Sequence, residues 1–233
     1  MGTRRLSAAR PQLWIADVGE LARPGVARAC AALLDAAEWQ RNQRFVRPED
    51  RWRDLLTRAL VRSVLSMYAL VAPEDWRFEV DGNGRPHVAH PAVEAPHFSL
   101  SHAGSMVACV VAQEPCIGVD VERVDPGAVV RDALPPRERV AVGSASAFFS
   151  YWTLREAHAK ATGMGLVNDS HRTSFELAGD RGATLLERGQ PARNWWFHRL
   201  TPAPGYVLAV ALRHEPTESP ALVRHTASPL PGV

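Results

Sequence analysis

Apolar positions recur at helical spacing over residues 25–45 and again from Pro48. In RPEDRWRDLLTRALVRSVLSMYAL, Trp52, Leu55, Leu56, Ala59 and Leu60 fall on one helix face and Arg51, Asp54, Arg58 and Arg62 on the other. Proline suits the first turn, because the N–H it lacks has no helical partner there. The period then shortens to two. WRFEV-DGNG-RPHV predicts a hairpin, with Asp-Gly and Asn-Gly supplying the positive φ of a tight turn. The apolar runs HFSLSH, SMVACVVA and CIGVDVE follow with links too short for crossover helices, so neighbours are expected to pair antiparallel. Residues 123–147, rich in Pro, Gly and Arg, read as a mobile connector. A third helix is predicted from about Ala147 to Ala161, ending before Gly163 and Gly165. Strands follow at 173–178, 194–200 and 205–213, with PAPG turning between the last two. Helix followed by short strands thus occurs twice, so the expected fold is α+β in two halves of similar plan, although no sequence repeat is visible. From Pro216 the chain is rich in Pro, Ser and Thr, and a disordered tail is expected over 216–233.

Composition narrows this picture a little. A chain of 233 residues, 46% apolar and 22% charged, has room for a proper core in one domain or two small ones. A net charge of +2 tolerates an acidic or phosphorylated partner but falls short of a nucleic-acid-binding balance. Cys30, Cys109 and Cys116 lie in apolar runs without a CxxC pair, which favours buried thiols over a disulfide frame or zinc site. No apolar run reaches the roughly 18 residues of a membrane span, and the arginines near the N-terminus precede no signal-peptide core, so a cytoplasmic protein is expected.

Candidate chemistry sits in two segments. Strict alternation in CIGVDVE puts Ile117, Val119 and Val121 on one strand face and Gly118, Asp120 and Glu122 on the other. Two carboxylates on one face repel each other. A solvated surface relieves that repulsion, and so does a divalent cation, for which hard oxygen ligands suit magnesium. On the third helix Trp152, Glu156 and Lys160 follow at i, i+4 and i+8. This is equally the pattern of a stabilising surface pair and of a helix bringing a third carboxylate and an ammonium to a site. Lys160 is the only lysine among 27 Lys and Arg residues. A guanidinium keeps its proton at any accessible pH, whereas an ammonium can be tuned to release one. Arginine-biased coding is the other explanation.

The sequence IGVDVE followed by WTLREAHAK resembles the paired signature of the 4′-phosphopantetheinyl transferase superfamily, a G-[IV]-D-x-E strand ahead of a W-[ST]-x-K-E-[AS]-x-x-K helix. GNGRP and FSLSHAG resemble two further family segments, and RFVRPEDRWRDLLTRALVRSVL resembles the upstream helix of the larger, surfactin-type monomers. The resemblance runs over roughly residues 38–213. It implies a pseudo-dimer divided into residues 1–115, with coenzyme A contacts, and 116–215, with a metal site. It also implies transfer of phosphopantetheine from coenzyme A to a serine of an apo carrier protein by a cytoplasmic monomer, without nucleic acid or membrane. Magnesium, or manganese, would be held by Asp120 and Glu156, with Glu122 bound directly or through water. Glu156 would help deprotonate the serine, and Lys160 would bind coenzyme A at the leaving phosphate, stabilise it and protonate it. Coenzyme A would meet Arg44, Arg53, Ser101 and His102, with Arg41 nearby, and Arg85 and Pro86 at the adenine or phosphate end. Two rival functions stand beside it: a magnesium-dependent phosphohydrolase using the same three acids with water as nucleophile, and a silent module that only binds carrier domains or coenzyme A, which would predict a damaged acid set and is disfavoured by the intact one. Arg155 stands where the family motif has lysine, and the connector is short for the surfactin-type group.

Overall fold

The computed structural model describes residues 3–19, 23–165, 173–215, 217 and 220–226. The first half runs β1 (Gln12–Asp17), α1 (Pro24–Ala31), α2 (Ala36–Gln43), α3 (Pro48–Ser66), β2 (Arg77–Val80), β3 (Pro86–His90), β4 (His97–Ala103) and β5 (Met106–Ala112). The second runs β6 (Ile117–Arg123), α4 (Pro136–Ala141), α5 (Ala145–Thr162), β7 (Thr173–Ala178), β8 (Gly182–Glu187), β9 (Gln190–Pro191), β10 (Trp195–Leu200) and β11 (Tyr206–Arg213), with β12 (Val223–Thr226) returning to the first. One sheet has the order β12-β1-β5-β4 and the other β6-β11-β10-β8-β7, while β2 and β3 form a separate hairpin. The α+β expectation in two halves of like plan holds.

Alternation along the strands builds three cores. Trp14 and Ala16 of β1 and Val107, Cys109 and Val111 of β5 face Leu56, Leu60 and Val64 of α3. Ala209 and Ala211 of β11 face Leu154, Ala157 and Ala161 of α5. The opposite faces of both sheets meet each other, Leu13, Ile15, Ala108 and Val110 packing with Val119, Val121, Leu208 and Val210. Every residue of β5 is therefore buried, as expected of a strand covered on both sides. Desolvation pushes the buried Cys30 thiol up to about 12 and raises that of Cys109. All three cysteines are free thiols, Cys116 half-buried.

Several expectations need correction. The pattern at 25–45 is two helices, because Asp35 starts α2 with a capping box: its side chain accepts from Glu38 N while Glu38 accepts from Asp35 N. Only β4 and β5 pair directly; β6 leaves for the second sheet and pairs with β11, so the three runs are not one meander. The connector is not a loose loop. It holds single 3₁₀ turns at Pro126–Ala128 and Arg131–Ala133 and the helix α4, with Leu134, Glu138 and Val142 buried. The expected disordered tail does not hold for Val223–Thr226, which pair parallel with Gln12–Ile15; residues 216, 218–219 and 227–233 lie outside the described set. Strands β1 and β8 had no counterpart in the sequence pattern.

Where the halves meet, β4 and β6 run side by side without a ladder. Ser99 Oγ accepts from Val119 N and Ser101 Oγ from Val121 N, both at 3.2 Å, so serine side chains take the place of strand carbonyls. On the other side of β6, Gly118 lets the strand touch α5. A methyl built there would overlap the Ala157 carbonyl oxygen and stand 2.7 Å from Ala161 N. Both neighbours are helix backbone and cannot turn aside. Gly118→Ala is accordingly expected to destabilise the fold by about 1–3 kcal/mol, as overpacking does. Gly143→Ala, with nothing within 4 Å of its new methyl, should leave the denaturation midpoint unchanged.

Candidate active site

Between the halves, α3, the β2–β3 hairpin and β4 face β6 and α5 across a cavity of about 750 Å³. Ser101, His102, Asp120, Glu122, Glu156, Lys160 and Pro86 all line it. Asp120 is brought to the wall by the Gly118 contact and by the Ser101–Val121 bond, which fixes β6 against β4. Lys160 Nζ donates to Asp120 Oδ1 at 2.6 Å and to Ser101 Oγ at 3.0 Å. Ser101 Oγ in turn donates to the same carboxylate oxygen at 2.8 Å. Asp120 Oδ1 thus accepts two hydrogen bonds, while its other oxygen, Oδ2, is buried with no hydrogen-bond partner.

The three acids perturb one another. Burial raises Asp120, opposed by the Lys160 ammonium. Burial first, and the Asp120 charge second, raise both Glu156 and Glu122, the latter to about 7. The Lys160 charge and Trp152, the aromatic member of the helical stripe, oppose the rise of Glu122. Like charges sharing a dry wall resist ionisation together. Among the described residues no three His, Cys, Asp or Glu side chains stand close enough to form a ready metal cage. The acids line one cavity without converging on one point, with Lys160 as the counterion of Asp120. The buried orphan oxygen of Asp120 and the carboxylates of Glu122 and Glu156 are nevertheless hard oxygen donors of the kind magnesium takes.

This coupling has a measurable sign. A carboxyl whose folded pKa lies above its unfolded value binds more protons in the folded state, so its contribution to stability is lost as pH rises between the two. For Glu122 that window runs from its ordinary 4.5 to about 7. Glu122→Gln is expected to gain stability relative to the parent as pH rises from 5 to 8 in the presence of a chelator. Urea denaturation at both pH values checks this; a constant difference would remove Glu122 from the coupled set.

The nucleotide-end candidates are placed unevenly. His102 faces the cavity, its pKa lowered by burial and by the Arg53 charge. Arg53 itself lies off the cavity wall, paired with Asp50 and donating to the Gly104 carbonyl at 3.2 Å. Arg44 is exposed at the C-cap of α2, also off the wall, whereas Arg41 lines it. Gly84, at φ 83°, turns the hairpin so that Pro86 reaches the cavity. The Arg85 guanidinium donates to the carbonyls of Pro115 at 3.1 Å and Ile117 at 3.3 Å, which ties the hairpin to β6, and Arg85 lines an adjoining cavity with Glu156 and Lys160. A further set of wall residues had not been singled out. Glu38 bonds Arg62 at 2.6 Å and Arg58 at 2.9 Å, and Arg58 bonds Asp54 at 3.0 Å. The Asp35-x-x-Glu38 capping pattern is the sequence signal that could have marked it. Arg155, the departure from the family motif, points away from the cavity into a buried pair with Glu138 at 3.1 Å.

Comparison with known proteins agrees with this layout. A family profile described as 4′-phosphopantetheinyl transferase superfamily matches residues 116–211, and one described as 4′-phosphopantetheinyl transferase, N-terminal, matches residues 25–115. The 4′-phosphopantetheinyl transferase HetI of Nostoc sp. is 32% identical over 193 residues, covering 78% of this chain and 79% of the relative. The 4′-phosphopantetheinyl transferase Sfp of Bacillus subtilis is 28% identical over 183 residues, covering 74% and 79%. A phosphopantetheinyl transferase of Thraustochytrium sp. is 26% identical over 222 residues, covering 86% and 77%. With two matched halves, a shared cavity and relatives spanned over most of their length, the chain belongs to the 4′-phosphopantetheinyl transferase superfamily, in its two-half, Sfp-like group.

Proposed function

We propose that this protein transfers phosphopantetheine from coenzyme A to a serine of an apo acyl or peptidyl carrier protein and releases adenosine 3′,5′-bisphosphate. The observation that carries the reading is the Lys160–Asp120–Ser101 cluster, set beside Glu122 and Glu156 on a cavity of about 750 Å³. Such a volume suits a cofactor-sized substrate. Magnesium or manganese held by Asp120 and Glu156, with Glu122 directly or through water, would supply charge neutralisation for the diphosphate.

The chain's own residues account for the rest. The carrier serine oxygen forms a new bond to the diphosphate phosphorus next to the pantetheine arm, and the bond from that phosphorus to the bridging oxygen breaks. Glu156, its pKa raised by burial and by Asp120, is a stronger base than an ordinary carboxylate and takes the serine proton. The leaving phosphate takes its proton from Lys160, whose ammonium is aimed by Ser101 and Asp120. His102 and Arg41 line the wall where the nucleotide end would lie.

The reading divides the chain at Cys116 into a first half, residues 1–115, and a second, residues 116–215. Support comes from β5 and β6 lying in different sheets. It places the enzyme in the cytoplasm as a monomer, each half covering the other; no helix among the described residues is long and apolar enough to cross a membrane. The test mixes the protein with coenzyme A, magnesium and an apo carrier protein. Mass spectrometry is expected to find a phosphopantetheine adduct on the carrier serine, and an unmodified carrier with coenzyme A hydrolysed would favour a phosphohydrolase instead.

A further inference from the structure

The halves repeat one order of elements: β1, helices, β2, β3, β4, β5 in the first, and β6, helices, β7, β8, β10, β11 in the second. In the first, the long helix, the hairpin and the following strand wall the candidate active site. The same three elements of the second half wall another cavity, of about 480 Å³. Ser150 comes from α5, Asp180 and Arg181 from the β7–β8 turn, and His198 and Arg199 from β10. Arg224 of β12 closes it. No residue of this cavity belongs to the transferase machinery described above.

Its charge is one-sided. Three arginines and a histidine face one aspartate, and none of the three arginines forms an ion pair with a described residue. Two are held in place by neutral partners. Arg199 donates to the Gly179 carbonyl at 2.7 Å and the Gly182 carbonyl at 3.1 Å, and Arg224 donates to the Pro202 carbonyl at 3.2 Å. Carbonyls orient a guanidinium without cancelling its charge, and each fork keeps further N–H groups to offer. A planar donor array of fixed direction matches phosphate oxygens. The cations also lower the His198 pKa, after burial, as uncompensated positive charge would.

We propose that this second cavity is a binding site for a phosphate or diphosphate group on a small molecule, separate from the active site. The inference stands on the geometry of this cavity and does not depend on the transferase reading.

The test follows the His198 ring resonance of the full-length protein by NMR, assigned with His198→Gln, during titration with inorganic pyrophosphate at constant ionic strength. A saturable shift is expected, and the double variant Arg181→Ala/Arg224→Ala should weaken it by about tenfold or more, since charge-assisted bonds to phosphate are the strong ones. The variant's urea denaturation midpoint should stay close to the parental value, which shows that it folds, and transferase activity should be unchanged. A second titration uses adenosine 3′,5′-bisphosphate, which carries two separate phosphate groups and no diphosphate: tighter binding than pyrophosphate identifies a nucleotide ligand, equal binding a single phosphate group, and weaker binding the diphosphate. An unmoved His198 resonance at millimolar pyrophosphate, or an equal shift in the double variant, overturns the proposal.

Discussion

Lys160→Arg is expected to slow transfer to the carrier by roughly 10²–10⁴-fold, the usual worth of a positioned general acid, with coenzyme A affinity close to the parent's. The substitution keeps the positive charge near Asp120, so ground-state attraction for the diphosphate survives. What changes is the proton. A guanidinium does not give one up, and its planar fork cannot occupy the single point from which Lys160 Nζ reaches both Asp120 at 2.6 Å and Ser101 at 3.0 Å. Single-turnover kinetics with saturating apo carrier measure the chemical step, and calorimetry measures coenzyme A binding. A fall in kcat without a rise in the coenzyme A dissociation constant marks an interaction made only in the transition state. Equal rates in Lys160→Arg and the parent would show that charge alone suffices there. Lys160→Ala should lose both rate and affinity, which separates the proton from the charge.

Much of this site could be read from the chain because its parts are periodic. Gly118, Asp120 and Glu122 share a strand face by the two-residue repeat, and Glu156 and Lys160 share a helix stripe by the four-residue step. The structure puts that face against that stripe, with Gly118 admitting the contact. Alternation also foretold the apolar face, since Val119 and Val121 turn to the centre of the molecule. What stayed hidden was decided at long range. Strand β1 is an ordinary apolar run whose place beside β5 depends on residues about a hundred positions away. Strand β12, in a Pro- and Ser-rich tail, is ordered by pairing with β1, which local composition does not record. Arg85 is expected at the ligand from the family resemblance alone; only folding shows that its guanidinium also bonds the backbone carbonyls of Pro115 and Ile117, where the two halves join. Glu38 lies within the 25–45 helical pattern, and its role follows only from folding, which sets it against Arg62 and Arg58.

The same distinction governs Arg155, and it leads to the largest expected change in stability. Arg155 Nη1 donates to Glu138 Oε1 at 3.1 Å, and that oxygen also accepts from Phe175 N at 2.8 Å. One carboxylate thereby joins α4, α5 and β7, which turns the Pro- and Gly-rich connector into a packed element. Glu138 is 0% exposed, so removing its partner strands a charge in the interior. Arg155→Ala is expected to cost about 3–5 kcal/mol, the range for breaking a buried pair by deleting one member. The double variant Arg155→Met/Glu138→Gln should recover part of that loss, because the glutamine oxygen can still accept from Phe175 and no charge is left buried; a double-mutant cycle gives the coupling. Burial already raises Glu138 against the opposing pull of Arg155. Without the arginine the folded state takes up a proton more readily still, so the deficit of Arg155→Ala should shrink as pH falls from 8 towards 5. A deficit that is the same at both ends, or a double variant no better than the single, would mean that Arg155 acts through packing and not through its charge.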